Sequence, residues 1–176
     1  MLRRSASTAL PSIALLALAL TAGCKEEPPP APGDLAIELG TGSWRFEPLV
    51  DEQDVELVRG AQGGWHVWVS VRAEGLRGDP PIATLYIESE VLDLDGVPPS
   101  VTEARVAFTP RQDEPGVAEV VGWIHVQNAP ACVVDRRIRL RVAVTDEESG
   151  RTALDERIVV PRSTPETRPP VPCIYE

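Results

Sequence analysis

In VVDRRIRLRVAV, residues 133–144, apolar side chains alternate with charged ones at a period of two. This alternation is typical of a β-strand that buries one face and exposes the other, and it decides the fold class. The predicted inner face carries Val134, Ile138, Leu140, Val142 and Val144. The predicted outer face carries Arg137, Arg139 and Arg141. The arginines predict a solvated face, on which Arg141 would lie opposite Asp155 if the following turn, DEESG, sets a simple register.

The same period of two recurs along residues 34–160, and no stretch there sustains a helical period over ten residues. Turn-forming clusters such as RGDPP, LDGVPP and PRQDEPG separate the alternating segments. The sequence therefore predicts an all-β fold, a single antiparallel β-sandwich of about eight strands. The remaining predicted inward sets are Leu35, Ile37 and Leu39; Val67, Val69 and Val71; Ala83, Leu85, Ile87 and Val91; Thr102, Ala104, Val106 and Phe108; Ile124 and Val126; and Leu154, Ile158 and Val160.

The end of this region, RLRVAVTDEESGRTALDERIVVP (139–161), resembles the closing hairpin of immunoglobulin-like domains of bacterial surface proteins. The resemblance implies an immunoglobulin-like topology. The Cys…Trp…Cys framework of true immunoglobulin domains is missing, so a jelly roll or a small barrel stays open as an alternative.

The N-terminus, MLRRSASTALPSIALLALALTAGC (1–24), has the organisation of an export signal. Arg3 and Arg4 provide the positive charge, and the apolar run over residues 9–20 is too short to span a bilayer as a permanent helix. We therefore expect residues 1–23 to be a signal peptide.

The residues LTAGC (20–24) resemble the bacterial lipobox. The resemblance implies cleavage before Cys24 and attachment of fatty acyl chains to it, and Lys25 is then consistent with sorting to the outer membrane. The alternative is an ordinary cleavage site that leaves Cys24 as a free or bridged thiol.

Two Pro-rich segments flank the predicted domain. Residues 24–33, CKEEPPPAPG, favour extended polyproline conformations and predict a semi-rigid tether. Residues 161–176 predict an irregular C-terminal tail on the surface of the domain at 34–160.

Charge excludes several classes of partner. The chain carries 17 basic and 27 acidic residues, and loss of the two arginines in residues 1–23 changes its formal charge from −10 to −12. A protein this acidic lacks the basic footprint that nucleic acids require, and it lacks the polybasic patch that would bind anionic lipid headgroups. Contact with the membrane is therefore expected only through the N-terminal lipid.

Besides Cys24, the chain contains Cys132 and Cys173. An even pair in an exported protein favours a disulfide, which here would close a loop of about 40 residues and contribute about 3–4 kcal/mol in the chain-entropy model. The alternative is a soft metal site that includes a histidine, although neither cysteine belongs to a C-x-x-C pair.

The two histidines each stand two residues from a tryptophan, in WHVW (65–68) and WIH (123–125). Strand parity places His66 and Trp68 on an outer face, with Trp65 in the core, and also places Trp123 and His125 outward. If the two strands pair, these four residues predict an aromatic–imidazole face that could bind a partner, a glycan or a metal. The alternative is that they simply cover the sheet, because exposed aromatic side chains usually pack against something.

The segment LVRGAQGGWHVWVSVRAEGL (57–76) is similar to exported lipoproteins of GC-rich Gram-negative bacteria that carry G-x-Q-G-G-x-H. The resemblance implies no activity. Gly63 and Gly64 are expected to supply a positive φ or a bulge at the start of a strand. The residues DLDG (93–96) lack the downstream glutamate of a calcium loop and predict a plain turn.

No nucleophile motif, metal-ligand spacing or cofactor-binding loop is recognisable, so we expect no catalytic residue, no metal and no cofactor. The sequence therefore predicts a non-enzymatic, lipid-anchored envelope protein whose sandwich scaffolds or binds an envelope protein or surface component. The first alternative is a ligand- or metal-binding module that uses the four-residue face, and the least favoured is a hydrolase.

Overall fold

A computed structural model describes residues 34–175, which form two packed β-sheets. The strands of these residues are β1 (Ala36–Thr41), β2 (Glu47–Pro48), β3 (Gln53–Glu56), β4 (Val58–Arg59), β5 (Trp65–Glu74), β6 (Ile82–Val91), β7 (Ser100–Ala107), β8 (Thr109–Pro110), β9 (Val117–Val126), β10 (Ile138–Asp146) and β11 (Thr152–Arg162). A single helical turn, α1 (Pro130–Val133), connects β9 to β10.

The order of the strands confirms the predicted β-sandwich. Sheet A has the order β2-β1-β5-β9-β8, with β4 paired to β5, and sheet B has the order β3-β11-β10-β6-β7. Neighbouring strands are antiparallel except for β3 and β11, which run parallel. In sheet A, strands β1-β5-β9-β8 have the order A-B-E-D of an immunoglobulin-like sandwich. In sheet B, strands β11-β10-β6 have the order G-F-C of the facing sheet.

The core lies between the two sheets and is built mainly from the predicted inward residues. In β10, Ile138, Leu140, Val142 and Val144 are each at most 1% exposed. The central strands β5 and β6 contribute Val67, Val69, Val71, Ala83, Leu85 and Ile87, which are equally buried. The predicted parity is therefore confirmed for the strands that form the middle of each sheet.

Parity fails in β9, where the prediction that Ile124 and Val126 face inward is wrong. Val69 pairs with Trp123, but Val71 pairs with Val120, so two residues of β9 lie opposite one residue of β5. This β-bulge shifts the alternation by one residue. Beyond it, Ile124 and Val126 are about half exposed, at 48% and 49%.

Parity also fails in β11. The β10–β11 hairpin places Arg141 opposite Glu156 rather than Asp155, and it leaves Leu154 58% exposed while Val159 is fully buried. The half-buried Asp155 turns toward sheet A instead, where its Oδ2 accepts a hydrogen bond of 2.8 Å from the Leu39 backbone N–H. The Asp155 carboxylate thus satisfies the Leu39 N–H, which faces away from β5. The alternation of apolar residues along β11 does not reveal this role of Asp155.

The predicted disulfide is present. Cys132 in α1 and Cys173 in the tail are bonded, with a Cα–Cα distance of 4.7 Å and a sequence separation of 41. The tail is also attached through Trp65, whose indole N–H donates to the carbonyl of Thr167 at 2.7 Å. The C-terminal segment is therefore fixed to the end of the sandwich where α1 and the start of β5 lie.

Three predictions lie outside the described residues: the signal peptide (1–23), the acylated Cys24 and the tether (24–33). Within residues 34–175, no helix has the length and apolar character needed to cross a membrane.

Candidate functional site

The four residues of the predicted aromatic–imidazole face lie on two opposite faces of sheet A. His66 pairs with Val126 and Trp68 pairs with Ile124, so these four side chains share the outer face. His125 instead pairs with Val67, and Trp123 pairs with Val69, so both project toward the core. The prediction of one shared face is therefore wrong, and the β9 bulge is the reason.

His125 belongs to a buried network of hydrogen bonds between the sheets. The side chain is fully buried; its Nδ1 lies 3.0 Å from the Thr102 hydroxyl, and its Nε2 lies 2.9 Å from the Ser89 hydroxyl. Ser89 in turn donates to Oε1 of Gln127 at 3.0 Å. If Nε2–H donates to Ser89 and Nδ1 accepts from Thr102, all of these bonds are satisfied by a neutral imidazole. Burial lowers the pKa of His125 to about 4, which keeps the ring neutral at physiological pH.

His66 is also withdrawn from solvent, although it lies on the outer face. It is 6% exposed and makes an edge-to-face contact with Trp68, with 4.7 Å between the ring centroids. Its Nε2 is buried and has no hydrogen-bond partner among the described residues. Burial lowers the pKa of His66 below its ordinary value, and Glu56 partly opposes that shift. The imidazole is therefore covered by neighbouring groups and packs against the Trp68 ring beside it.

A groove adjoins Trp68 on the side of β5 that faces β1 and β4, where the middle of β5 has no strand partner. Here β1 stops pairing with β5 at Ser70, β4 pairs only with Trp65 and His66, and the Thr41 hydroxyl donates to the Trp68 carbonyl at 3.0 Å. The groove has a volume of about 360 Å³. It is lined by the loop after β1, by β3 and by Trp68, with Trp44, Arg45, Glu47, Gln53, Asp54 and Glu56 among the lining residues.

Trp44, at the tip of the loop after β1, is 94% exposed, the highest value among the large hydrophobic residues of the described chain. The Ser70 hydroxyl donates to the Gly42 carbonyl at 3.0 Å and accepts from the Gly122 N–H at 3.1 Å. Gly122, at the β9 bulge, has a φ of 69°, and a Cβ there would lie 2.5 Å from the Ser43 carbonyl oxygen. The loop is thus held against sheet A while its tryptophan is directed into solvent.

The charged groups of the groove are largely paired. Arg45 binds Glu47 at 2.8 Å, and Arg162 binds Asp54 at 2.9 Å. The carboxylate of Glu56 and the indole N–H of Trp68 have no hydrogen-bond partner among the described residues. The lining of the groove therefore includes two indole rings, an unpaired acceptor on Glu56 and an unpaired donor on Trp68.

The arginine face of β10 is a paired surface, as the sequence predicts. Arg139 binds Glu90 at 2.9 Å, and Arg141 binds Glu156 at 3.2 Å. Arg137 binds Glu52 at 2.7 Å. Since each guanidinium already has a carboxylate, this face does not provide a prepared anion site.

Other sequence features have local structural roles. Gly63 has a φ of 90° and lies in the turn between β4 and β5, as expected for the G-x-Q-G-G-x-H segment. Within residues 34–175, no three His, Cys, Asp or Glu side chains group as a metal site.

Sequence reasoning missed Trp44, Arg45 and Glu56. A usable signal for Trp44 exists in TGSWRF (41–46), where a tryptophan follows a Gly–Ser pair and has no alternating apolar neighbours. Such a position in a turn is not explained by packing of a strand face. Glu56 has no comparable signal, because only the fold brings β3 beside Trp68.

Comparison with protein-family models, curated proteins and solved structures gave no match for this chain. Its function is therefore inferred from its own residues.

Proposed function

We propose that the protein is a lipid-anchored component of the cell envelope, acylated at Cys24 and held at the outer membrane, and that its sandwich binds a surface component without catalysing a reaction. The observation that supports binding is the 94% exposed Trp44, held by a braced loop at the rim of a groove that also contains Trp68. An indole combines a large apolar surface with an N–H donor, and tryptophan is accordingly enriched at contact surfaces.

The bracing of the loop supports this interpretation. Binding costs less when the contact residues are already ordered, because little conformational entropy is then lost. The Ser70 hydroxyl and the close approach of Ser43 to Gly122 order the loop in the free protein. The backbone that carries Trp44 is therefore ordered before any partner arrives.

The position of the loop is consistent with tethering at the N-terminus. The described chain begins beside β1, and the Trp44 loop follows the other end of that six-residue strand, about 20 Å away. A Pro-rich tether of ten residues in polyproline conformation would add up to about 30 Å. A domain held in this way can present its groove to a component away from the anchoring leaflet.

The anchor is tested by fractionating cells that express the wild type or Cys24→Ala. We expect the wild type to remain with membranes after a high-salt wash and the variant to be released. Retention of Cys24→Ala in the membrane fraction contradicts the lipid anchor.

Binding is tested by chemical cross-linking in intact envelopes, comparing the wild type with Trp44→Ala. The matched control is Leu154→Ala, which removes an exposed apolar side chain of β11 outside the groove lining. We expect a cross-linked product with the wild type and the control, and its loss with Trp44→Ala. A product that survives Trp44→Ala contradicts the assignment of binding to this groove, and absence of any product contradicts the binding function.

A further inference from the structure

We propose that the groove between the Trp44 loop and β3 is a saccharide-binding site, in which a sugar ring stacks on Trp44 and its hydroxyls bond to Glu56 and Trp68. The inference rests on the proposed binding function and names the chemical class of the ligand.

The first argument is the pair of indole rings at the groove. The face of an indole carries negative π density, and the C–H groups on one face of a pyranose ring are weakly positive, so the two surfaces attract each other when stacked. Trp44 presents an almost fully exposed ring, and Trp68 packs edge-to-face against the buried His66 ring beside it. A platform of this type suits a ligand that is apolar on its faces and polar around its rim.

The second argument is the mixture of free polar groups. The carboxylate of Glu56 accepts hydrogen bonds, and the indole N–H of Trp68 donates one. Gln53 uses Oε1 to accept from the Val50 N–H at 3.1 Å, which leaves its side-chain N–H groups as further donors. A sugar hydroxyl both donates and accepts, so it can satisfy either kind of group.

The third argument is the charge of the groove. Arg45 neutralises Glu47 and Arg162 neutralises Asp54, so Glu56 is the carboxylate left without an ion pair among the lining residues. A site for polycations is expected to display several unpaired carboxylates, and a phosphate site is expected to display unpaired cations. The balance observed here favours a neutral ligand.

The size of the groove agrees with this class. About 360 Å³ lies at the small end of ligand-binding pockets, which run from about 300 to 1,000 Å³. That space suits a short stretch of an oligosaccharide. The exposure of Trp44 leaves the rim open, so a longer glycan could continue beyond the groove.

The test is calorimetric titration of the full acylated protein in detergent micelles, with tetrasaccharides of glucose, galactose, mannose and N-acetylglucosamine as probes and tetralysine as the cationic alternative. We expect at least one saccharide to bind, Trp44→Ala to weaken binding at least about tenfold, and Trp44→Tyr to retain most of it. Glu56→Gln should weaken binding by a smaller factor, and Leu154→Ala should leave it unchanged.

Three results overturn the saccharide site: no saccharide binds, a saccharide binds equally well to Trp44→Ala, or tetralysine binds through Trp44 while the saccharides do not. Because Trp44 is 94% exposed, its replacement should leave the unfolding midpoint unchanged, which separates lost binding from lost folding. If the saccharides fail but the envelope cross-link still depends on Trp44, the proposed binding function stands and only the ligand class is wrong. If both fail, the binding function is wrong as well.

Discussion

Acidification should destabilise the protein through His125, because this imidazole is neutral when folded and free to protonate when unfolded. Its pKa falls to about 4 in the folded protein, from an ordinary value of 6.5. The unfolded chain therefore binds more protons than the folded chain between these two pH values. It follows that the contribution of His125 to the free energy of unfolding is fully present above about pH 6.5. This contribution declines as the pH falls toward 4 and changes little below that.

The size of the effect follows from the same shift. A difference of about 2.5 pKa units corresponds to about 3 kcal/mol, at 1.36 kcal/mol per unit. A typical domain has a free energy of unfolding of about 5–15 kcal/mol, so the loss should be readily measurable. The physical origin is burial, since the described partners of the ring, Thr102 and Ser89, are neutral hydroxyls that supply no compensating negative charge.

The assay is chemical denaturation of the oxidised protein at pH 7.5, 6, 5 and 4, comparing the wild type with His125→Gln. The many carboxylates titrate in both proteins, so the difference between the two free energies of unfolding isolates the imidazole. Between pH 7.5 and 4, we expect the wild type to lose about 3 kcal/mol more of its free energy of unfolding than His125→Gln loses. His66→Gln is the matched control. Burial also lowers the pKa of His66, but Glu56 partly opposes that shift, so this substitution should change the pH dependence of the free energy of unfolding less than His125→Gln does. A difference between wild type and His125→Gln that is independent of pH, or that favours the wild type on acidification, refutes the reasoning.

Two further perturbations test the bulge and the disulfide. Gly122→Ala should cost about 2 kcal/mol or more in equilibrium unfolding, because it combines a positive φ with a Cβ 2.5 Å from the Ser43 carbonyl oxygen. Gly116→Ala, with a φ of 89° but open space around the added Cβ, should cost about half as much, and equal losses would show that the contact with Ser43 is unimportant. Replacing both Cys132 and Cys173 with serine should lower the free energy of unfolding by about 4 kcal/mol, the loop-closure value for a separation of 41 residues. An unchanged denaturation midpoint would contradict that role.

The features that could be predicted from the sequence depend on unbroken local patterns. In β10, the apolar residues and the arginines alternate without interruption, and the structure places them in the core and on the outer face as expected. The disulfide could be predicted from the number of cysteines in a chain with an export signal. Neither inference requires knowledge of which strands are neighbours.

The features that could not be predicted depend on contacts between distant segments. Asp155 faces inward because it accepts a hydrogen bond from Leu39, 116 residues away. Glu56 reaches the groove because β3 pairs with the last strand and then crosses to join β5 through β4. The alternation of a strand gives no information about such partners, so both residues were misassigned or overlooked.

One structural cause explains both the failed prediction on β9 and the presence of the groove loop. The extra residue of the bulge turns Trp123 and His125 inward, which removes them from the predicted binding face. The same bulge contains Gly122, whose lack of a side chain allows the Ser43 carbonyl to approach and the Trp44 loop to rest on sheet A. Had the alternation continued, the two histidines would share the outer face. The residue that breaks the strand pattern therefore transfers the candidate site from the histidines to Trp44, in agreement with the tendency of bulges to re-aim side chains next to functional sites.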